Sequence, residues 1–493
     1  MINYRKQMGA LVTGQMLSLL LSFGLPLILV RVLSKNDYGL YAQFNVILTF
    51  FVAFFGFGFG SDLYFLYPPA EKSKRRILIF QSLMLLLFSG VVACFVLLIP
   101  VVKDYFITDV TLKSNYLYLL LGILFSVPEV IMTTLYVLNH DNKLSALFLP
   151  VTTLIRVFMI LLFYWISPEI SSVFTALFAG IFIKFLCILI YAFRLIRQNE
   201  GVKLYDYCTL KEQLGYSLPL GIASSTRIFI QQIDKLIILA FVDPVAYAVY
   251  SIAFYGVPGL NQVYLSISQV YVPRMSIAAN QHDDRQIVSL YHSMVSKTLS
   301  YTVPIVLIII LFSDSIIPFV FSSKYIDSVP YFRFYLLTFI VSCIGCGNIL
   351  RATGYTKKSF KAYLYTAIFI LPFTYFAIKY FYLNGAITAA VVGQILPKFL
   401  LSYYDAKVLK ISSFDLFPWR FISKLFVISI VSLFPFVGIY FLGGHENFFL
   451  CLFWIVLYLV LTFALQMYYN IFIISWTECR GYIDKGLRWC NFK

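Results

Sequence analysis

The chain has 493 residues, of which 61% are hydrophobic and only 12% charged, and its formal net charge is +16 at pH 7. Soluble domains carry about a quarter charged residues, so these proportions exclude an ordinary soluble protein. The positive charge would suggest nucleic acid in a soluble chain, but no polymerase, nuclease or RNA-binding pattern accompanies it, and no nucleic-acid partner is expected.

In chain order, apolar blocks begin near residues 9, 39, 77, 116, 144, 171, 214, 247, 286, 331, 359, 384, 422 and 448. A helix needs about 20 largely apolar residues to cross roughly 30 Å of hydrocarbon. Backbone in hydrocarbon must satisfy its own hydrogen bonds, so spans of this length predict helices. The expected fold class is all-α integral membrane, with about fourteen transmembrane helices. The first block is long and lacks a small-residue cleavage site, which favours a retained helix over a signal peptide. No gap exceeds roughly 20 residues, so no inserted soluble domain is expected.

The gaps alternate between cation-rich and cation-poor. Cations gather in EKSKRR (Glu71 to Arg76), in 194–211, in Arg351, Lys357, Lys358 and Lys361, and in 407–424. Arg5, Lys6 and the tail from Arg480 to Lys493 fall on the same side. The positive-inside rule then predicts two cytoplasmic termini, in keeping with an even number of crossings. The eight cysteines give no paired extracellular framework. Cys343 and Cys346 form a CxxC inside an apolar block, read as packing on one helix turn, and no metal site is expected. Gly354 to Ser359 (GYTKKS) lacks the spacing of a nucleotide phosphate loop.

The chain reads as if built twice. LVRVLSKNDYGLYA (Leu29 to Ala42) aligns without gaps on ILAFVDPVAYAVYS (Ile238 to Ser251). The register pairs Tyr38 with Tyr247, Tyr41 with Tyr250 and, further on, Arg76 with Arg285; Ala248 stands opposite Gly39. Six helices per copy keep both copies in one orientation, a parallel repeat of the kind transporters use around a substrate site. The expected organisation is two pseudo-symmetric six-helix lobes, 1–200 and 201–410, followed by two further helices and a cytoplasmic tail in 411–493.

A charge at the bilayer centre costs on the order of 3 kcal/mol by insertion scales. Charges inside blocks are therefore candidates for a wet cavity: Arg156, Lys184, Arg227, Asp234, Lys235, Lys297 and Arg333, with Lys398 and Glu129 beside them. Most are cations, which suits an anion path. Arg227, Gln231 and Asp234 follow i, i+4, i+7 spacing and share one helix face. An internal ion pair and a cavity-facing anion contact at Arg227 both fit that spacing. Lys235 points elsewhere and is able to snorkel. Gln15, Ser18 and Ser22 share a face on the first block, and Gln262, Ser266 and Gln269 on the eighth. Such stripes serve either interhelical packing or a hydrophilic path.

Several segments resemble the polysaccharide-exporter family that includes bacterial O-antigen flippases, in the superfamily that also holds multidrug exporters and lipid II flippases. They are RVLSKNDYGLYAQF (Arg31 to Phe44), IDKLIILAFVDPVAYAVYSIAF (Ile233 to Phe254), VPRMS (Val272 to Ser276), and LRATGYTKKS (Leu350 to Ser359) followed by LNGAITAAVVGQIL (Leu383 to Leu396). The resemblance covers essentially the whole chain. It implies a bacterial inner-membrane, multi-pass flippase that moves undecaprenyl-pyrophosphate-linked oligosaccharide, an O-antigen or capsule repeat unit, from the cytoplasmic to the periplasmic leaflet. It further implies alternating access, H+ or Na+ as a coupling ion, no enzymatic step and no other cofactor. The bilayer, a polysaccharide polymerase and chain-length machinery enter as partners. On this reading Arg227 contacts phosphate, since guanidinium forks onto phosphate oxygens. Lys297, Arg333, Arg156 and Lys184 add positive field, while Gln15, Gln231, Asp234, Gln262 and Gln269 line the cavity. The rivals are a cation-coupled exporter of the same superfamily and a membrane polysaccharide polymerase. The outward gaps offer a polymerase few catalysts beyond Asp104, Asp109, Asp314 and Asp327.

Overall fold

A computed structural model describes residues 17–18, 21–57, 59–60, 62–139, 141–199, 201, 203–257, 259–444 and 447–469. Regular structure among them is helical throughout. The longer helices are α1 (Leu21–Val32), α2 (Lys35–Phe55), α3 (Lys72–Leu98), α4 (Tyr116–Leu138), α5 (Asn142–Ile166), α6 (Ile170–Gln198) and α7 (Tyr207–Leu239). They continue with α8 (Pro244–Ala253), α9 (Leu260–Asn280), α10 (Asp284–Leu311), α11 (Val329–Ser342), α12 (Thr356–Val408), α13 (Trp419–Ile439) and α14 (Phe448–Tyr468). Nine helices among the described residues are long and apolar enough to cross a membrane. This is an all-α, multi-pass membrane protein.

That count is smaller than the number of apolar blocks for identifiable reasons. The 53-residue α12 is two spans, because Tyr382 (φ 49, ψ −125) reverses the chain inside it. A Cβ added at Gly385 would lie 1.8 Å from the Ala377 carbonyl oxygen, so only glycine lets the two arms meet this closely. The family-like LNGA motif is thus the start of the returning arm. The eighth block is split: α8 and α9 are separated by a bend with Gly256 (φ 61) and Gly259 (φ 93). In α7 the polar residues lower the mean hydropathy of an otherwise long helix.

Packing divides the described chain into two compact units between Ala248 and Val249. In the first, α7 is held on α2 and α3. Ser225 Oγ donates to the Phe54 carbonyl at 2.5 Å, and Gly221 lies so close to Phe57 that a Cβ would sit 2.2 Å from its carbonyl oxygen. Gln213 Nε2, fully buried, donates to Ser82 Oγ (2.8 Å) and Asp62 Oδ2 (3.0 Å), and Lys74 pairs with Glu212 at 2.7 Å. These contacts bring the seventh helix into the first unit. The division by packing therefore differs in its boundary from the expected lobes 1–200 and 201–410, because α7 packs with the first unit.

The repeat has a local structural basis. Ser34 Oγ accepts the Asp37 amide at 3.1 Å as N-cap of α2, and Asp243 Oδ1 accepts the Ala246 amide at 2.9 Å at the start of α8. The two caps occupy matching positions in the aligned segments. Gly39 differs from Ala248 for a steric reason: a Cβ on Gly39 would meet the Pro244 carbonyl oxygen at 1.8 Å.

In the second unit, Tyr271, Met275, Tyr291, Met294, Ile349 and Leu425 form one buried cluster. The last two helices belong to its packing. Ser432 and Thr462 hydroxyls meet at 2.8 Å, Tyr458 OH donates to the Ser429 carbonyl (2.9 Å), and Gln466 Nε2 to the Ser300 carbonyl (3.3 Å). Interhelical bonds of this kind replace the hydrophobic drive that lipid cannot supply.

Candidate functional site

In the first unit the midspan charges gather around a broken helix. Pro128 supplies no backbone N–H, and α4 passes through a 3₁₀ turn at Val127–Glu129. Glu129 at that turn accepts a hydrogen bond from Lys184 Nζ, near the middle of α6, and the ammonium also lies 5.7 Å from the Phe148 ring centre. The two side chains are only 18% and 33% exposed, so the pair is sheltered. Lys184 is therefore a neutralised cation rather than a free one.

Arg156 stands differently. Its backbone and Cβ pack on Gly180, where an added Cβ would be 3.5 Å from Arg156 Cα. The buried Tyr41, which hydrogen-bonds Asn45, lies within electrostatic range of the guanidinium. Arg156 Nε is buried without a hydrogen-bond partner and no carboxylate pairs with the side chain among the described residues. One turn earlier on the same face, Thr153 Oγ1 meets Ser18 Oγ at 3.3 Å, so the predicted polar stripe of the first block joins the Arg156 face. Gln15 lies outside the described residues. The α7 backbone is helical through Arg227, Gln231 and Asp234 and keeps their shared register; their side chains are likewise outside the description.

In the second unit Arg333 occupies the start of α11, away from midspan. Its Nε donates to Ser313 Oγ (2.5 Å) and the Ile310 carbonyl (3.0 Å), and Nη2 pairs with Asp314, which also accepts Tyr440 OH at 2.5 Å. This cation is tied into an end-of-helix network joining α10, α11 and α13. Lys297 is midway along α10, half-buried, with its ammonium 5.6 Å from the Tyr271 ring centre. On α9, Gln262 is half-buried while Ser266 and Gln269 are exposed, so that stripe faces outward from the unit's own packing. The predicted cations thus divide into paired (Lys184, Arg333), ring-stacked (Lys297) and partnerless (Arg156) groups.

Buried polar residues with no periodic signal were missed by sequence reasoning. Asp405, fully buried, accepts the Gly347 and Leu350 amides at 2.6 and 3.0 Å and caps the short helix Asn348–Ala352. Asn348 Nδ2 donates to Tyr264 OH at 3.1 Å. In the first unit Asp62, also fully buried, accepts the Gly60 amide at 2.7 Å. Two outward carboxylates are occupied structurally: Asp109 accepts the Thr111 amide at 2.7 Å, and Asp314 is held by Arg333. That leaves a polymerase reading with less to work with. At the cation-rich end of α10 a cavity of about 580 Å³ is lined by Asp284, Arg285, Ser289, His292, Ser293 and Asp415.

A family model described as "Polysaccharide biosynthesis protein" matches residues 28–330. No curated protein matches the chain. Among solved structures, the chain is similar to a lipid II flippase MurJ in an inward closed conformation, with 16% identity, a TM-score of 0.70, and 93% of this chain and 98% of that one covered. It is also similar to an inward-facing MATE-family multidrug resistance transporter of the MOP superfamily, with 14% identity, a TM-score of 0.64, and coverage of 81% and 98%. An outward-facing MATE transporter matches with 14% identity, a TM-score of 0.54, and coverage of 82% and 95%. At these identities the likeness is one of fold.

Proposed function

The chain belongs to the polysaccharide biosynthesis protein family, and from that premise we propose that it is a flippase for undecaprenyl-pyrophosphate-linked oligosaccharide. On this reading it moves an O-antigen or capsule repeat unit from the cytoplasmic to the periplasmic leaflet of the bacterial inner membrane, with both termini cytoplasmic. The observation that carries the reading is Arg156, a guanidinium in the middle of a membrane helix with a buried, partnerless Nε and no carboxylate beside it among the described residues. Such a group costs several kcal/mol to hold in hydrocarbon unless something negative or wet faces it. A diphosphate that passes through offers the missing acceptor oxygens, and guanidinium binds them in a fork. Arg227 adds a second guanidinium on α7, with Gln231 and Asp234 on its face; Gln15, Gln262 and Gln269 supply hydrogen bonds for sugar hydroxyls.

The chemistry is transport, not covalent catalysis. The polyprenyl tail stays in lipid while the headgroup crosses a cationic, hydroxyl-lined path by alternating access, with H+ or Na+ as the coupling ion. Two six-helix repeats and two additional helices give the architecture for it, and polymerase and chain-length machinery receive the product. A cation-coupled small-molecule exporter would need an acid free to bind its ion; Glu129, the midspan acid within the described side chains, is engaged by Lys184. The test is deletion in the native bacterium with analysis of lipid-linked intermediates by leaflet. A single undecaprenyl-linked repeat unit trapped on the cytoplasmic face supports the reading. Normal translocation with unpolymerised units outside overturns it in favour of a polymerase.

A further inference from the structure

Packing fixes which helices of the two units correspond, and it does so at two glycines. In the first unit α6 crosses α5 at Gly180, against Arg156. In the second, the arms 356–381 and 383–408 of α12 cross at Gly393, where an added Cβ would lie 3.4 Å from Ile370 Cγ1. Buried Ala362 and Leu401 pack together further along the same antiparallel pair. The two arms are thus the counterparts of α5 and α6. The broken α4 corresponds to α11 with its interruption at Cys343 to Gly347, where Gly345 and Gly347 have φ of 74° and 88°.

Once aligned, the units differ in charge. Where the first has Arg156 at the crossing, the second has Ile370. Lys184 follows Gly180 by one helical turn, and Lys398 follows Gly393 one position later than a strict match. Lys184 reaches the helix break and finds Glu129. Lys398 lies within electrostatic range of Cys343 and Cys346 at the corresponding break, and thiols are neutral donors. The nearby acid is engaged elsewhere: both oxygens of Asp405 accept backbone amides. Among the described residues no carboxylate is within ion-pair distance of Lys398. Nor is the lysine near a helix end. Ten residues separate it from Val408, about 15 Å at 1.5 Å per residue, so its stem does not reach that end of the helix.

We infer that Lys398 is an anion-binding residue of the second unit, receiving the phosphate-bearing headgroup at midspan, whereas its counterpart Lys184 is closed by Glu129 and takes no part in binding. The inference rests on the flippase reading for the identity of the cargo, though not for the site itself. The duplicated scaffold holds a lysine beside a helix break in both units. One copy supplies the counter-charge from the protein, and the other leaves it to the ligand. Lys398 is half-buried, and the buried Cys343 within its electrostatic range is neutral.

The test uses the full chain in nanodiscs of phosphatidylcholine, titrated calorimetrically with inorganic pyrophosphate. Lys398→Gln is expected to weaken binding about tenfold or more, as loss of a charge-assisted contact does, while Lys398→Arg keeps it. Cys343→Glu brings the second unit to the arrangement of the first; in the fraction that folds it is expected to lose pyrophosphate to the same degree. That variant keeps the inference testable if Lys398→Gln folds poorly. Wild type that binds no pyrophosphate, or Lys398→Gln or Cys343→Glu binding within about twofold of wild type, overturns it. Translocation of lipid-linked oligosaccharide is measured alongside. Full transport by Lys398→Gln sinks the inference and leaves the flippase reading intact; Lys398-dependent binding in a wild-type chain that moves no glycan lipid does the reverse.

Discussion

Replacing Glu129 by Gln removes the carboxylate from a sheltered ion pair while keeping its shape. Breaking one partner of a buried pair costs about 3–5 kcal/mol, because the other charge stays behind uncompensated. Here Lys184 is 18% exposed and Glu129 33% exposed, so water reaches part of the pair and the expected cost falls to about 2–3 kcal/mol. Phe148 contributes a cation–π contact of about 1 kcal/mol that survives the change. Lys184→Met with Glu129→Gln removes both charges and is expected to recover most of the loss, a coupling of about 1.5 kcal/mol or more. The assay is a double-mutant cycle by thermal unfolding in one detergent at fixed pH and salt. Each single variant is expected to melt several degrees lower than the double. Strictly additive losses, or single variants within about 0.5 kcal/mol of wild type, would refute the claim that Lys184 is neutralised by Glu129.

Three further outcomes are expected. Gly385→Ala sets a Cβ 1.8 Å from the Ala377 carbonyl oxygen, a backbone clash no rotamer relieves; it should abolish monodisperse folded protein by size exclusion, and a variant that melts like wild type contradicts the hairpin. Tyr440→Phe removes one hydroxyl donor from Asp314 and should cost about 1 kcal/mol, but only while Arg333 is present; an equal cost in an Arg333→Gln background denies the network. Burial holds the Asp62 carboxyl above its ordinary value of 3.8, against the pull of the Gly60 amide and Gln213. A raised folded pKa means the native chain binds the proton more tightly, so this group's contribution to stability declines as pH rises from the ordinary carboxylate range through the folded pKa. Asp62→Asn should therefore gain on wild type as pH rises toward 7.5, the gap closing on acidification; a gap independent of pH rules that out.

Much of the fold was legible because span length and helical structure are dictated by the bilayer, which tolerates few alternatives. The aligned segments share one structural feature, an N-cap at matching positions, Ser34 at the start of α2 and Asp243 at the start of α8. What the sequence concealed depends on partners far along the chain. Nothing local to Lys184 announces Glu129, and nothing near Arg333 says that Asp314 and Tyr440 hold it at a helix end. Asp405 looks like an interfacial acid beside Lys407, yet it is buried as the cap of a helix start more than fifty residues earlier. The split between α8 and α9 was hidden because glycines at positive φ interrupt a stretch whose hydropathy runs on.

On the proposed repeat, the two units match in packing and differ in charge. Gly180 and Gly393 mark the crossing in each unit, where an added Cβ would lie 3.5 Å from Arg156 Cα and 3.4 Å from Ile370 Cγ1, and α4 and α11 are both interrupted. At the residues opposite those points the copies part: Arg156 against Ile370, Glu129 against thiols. A cation that merely stabilised the scaffold would be expected with its counter-charge in both units. Its absence in one, at a depth where an unpaired ammonium costs on the order of 3 kcal/mol, is what the proposed anion contact would offset. The site of transport is therefore to be sought where the two halves disagree.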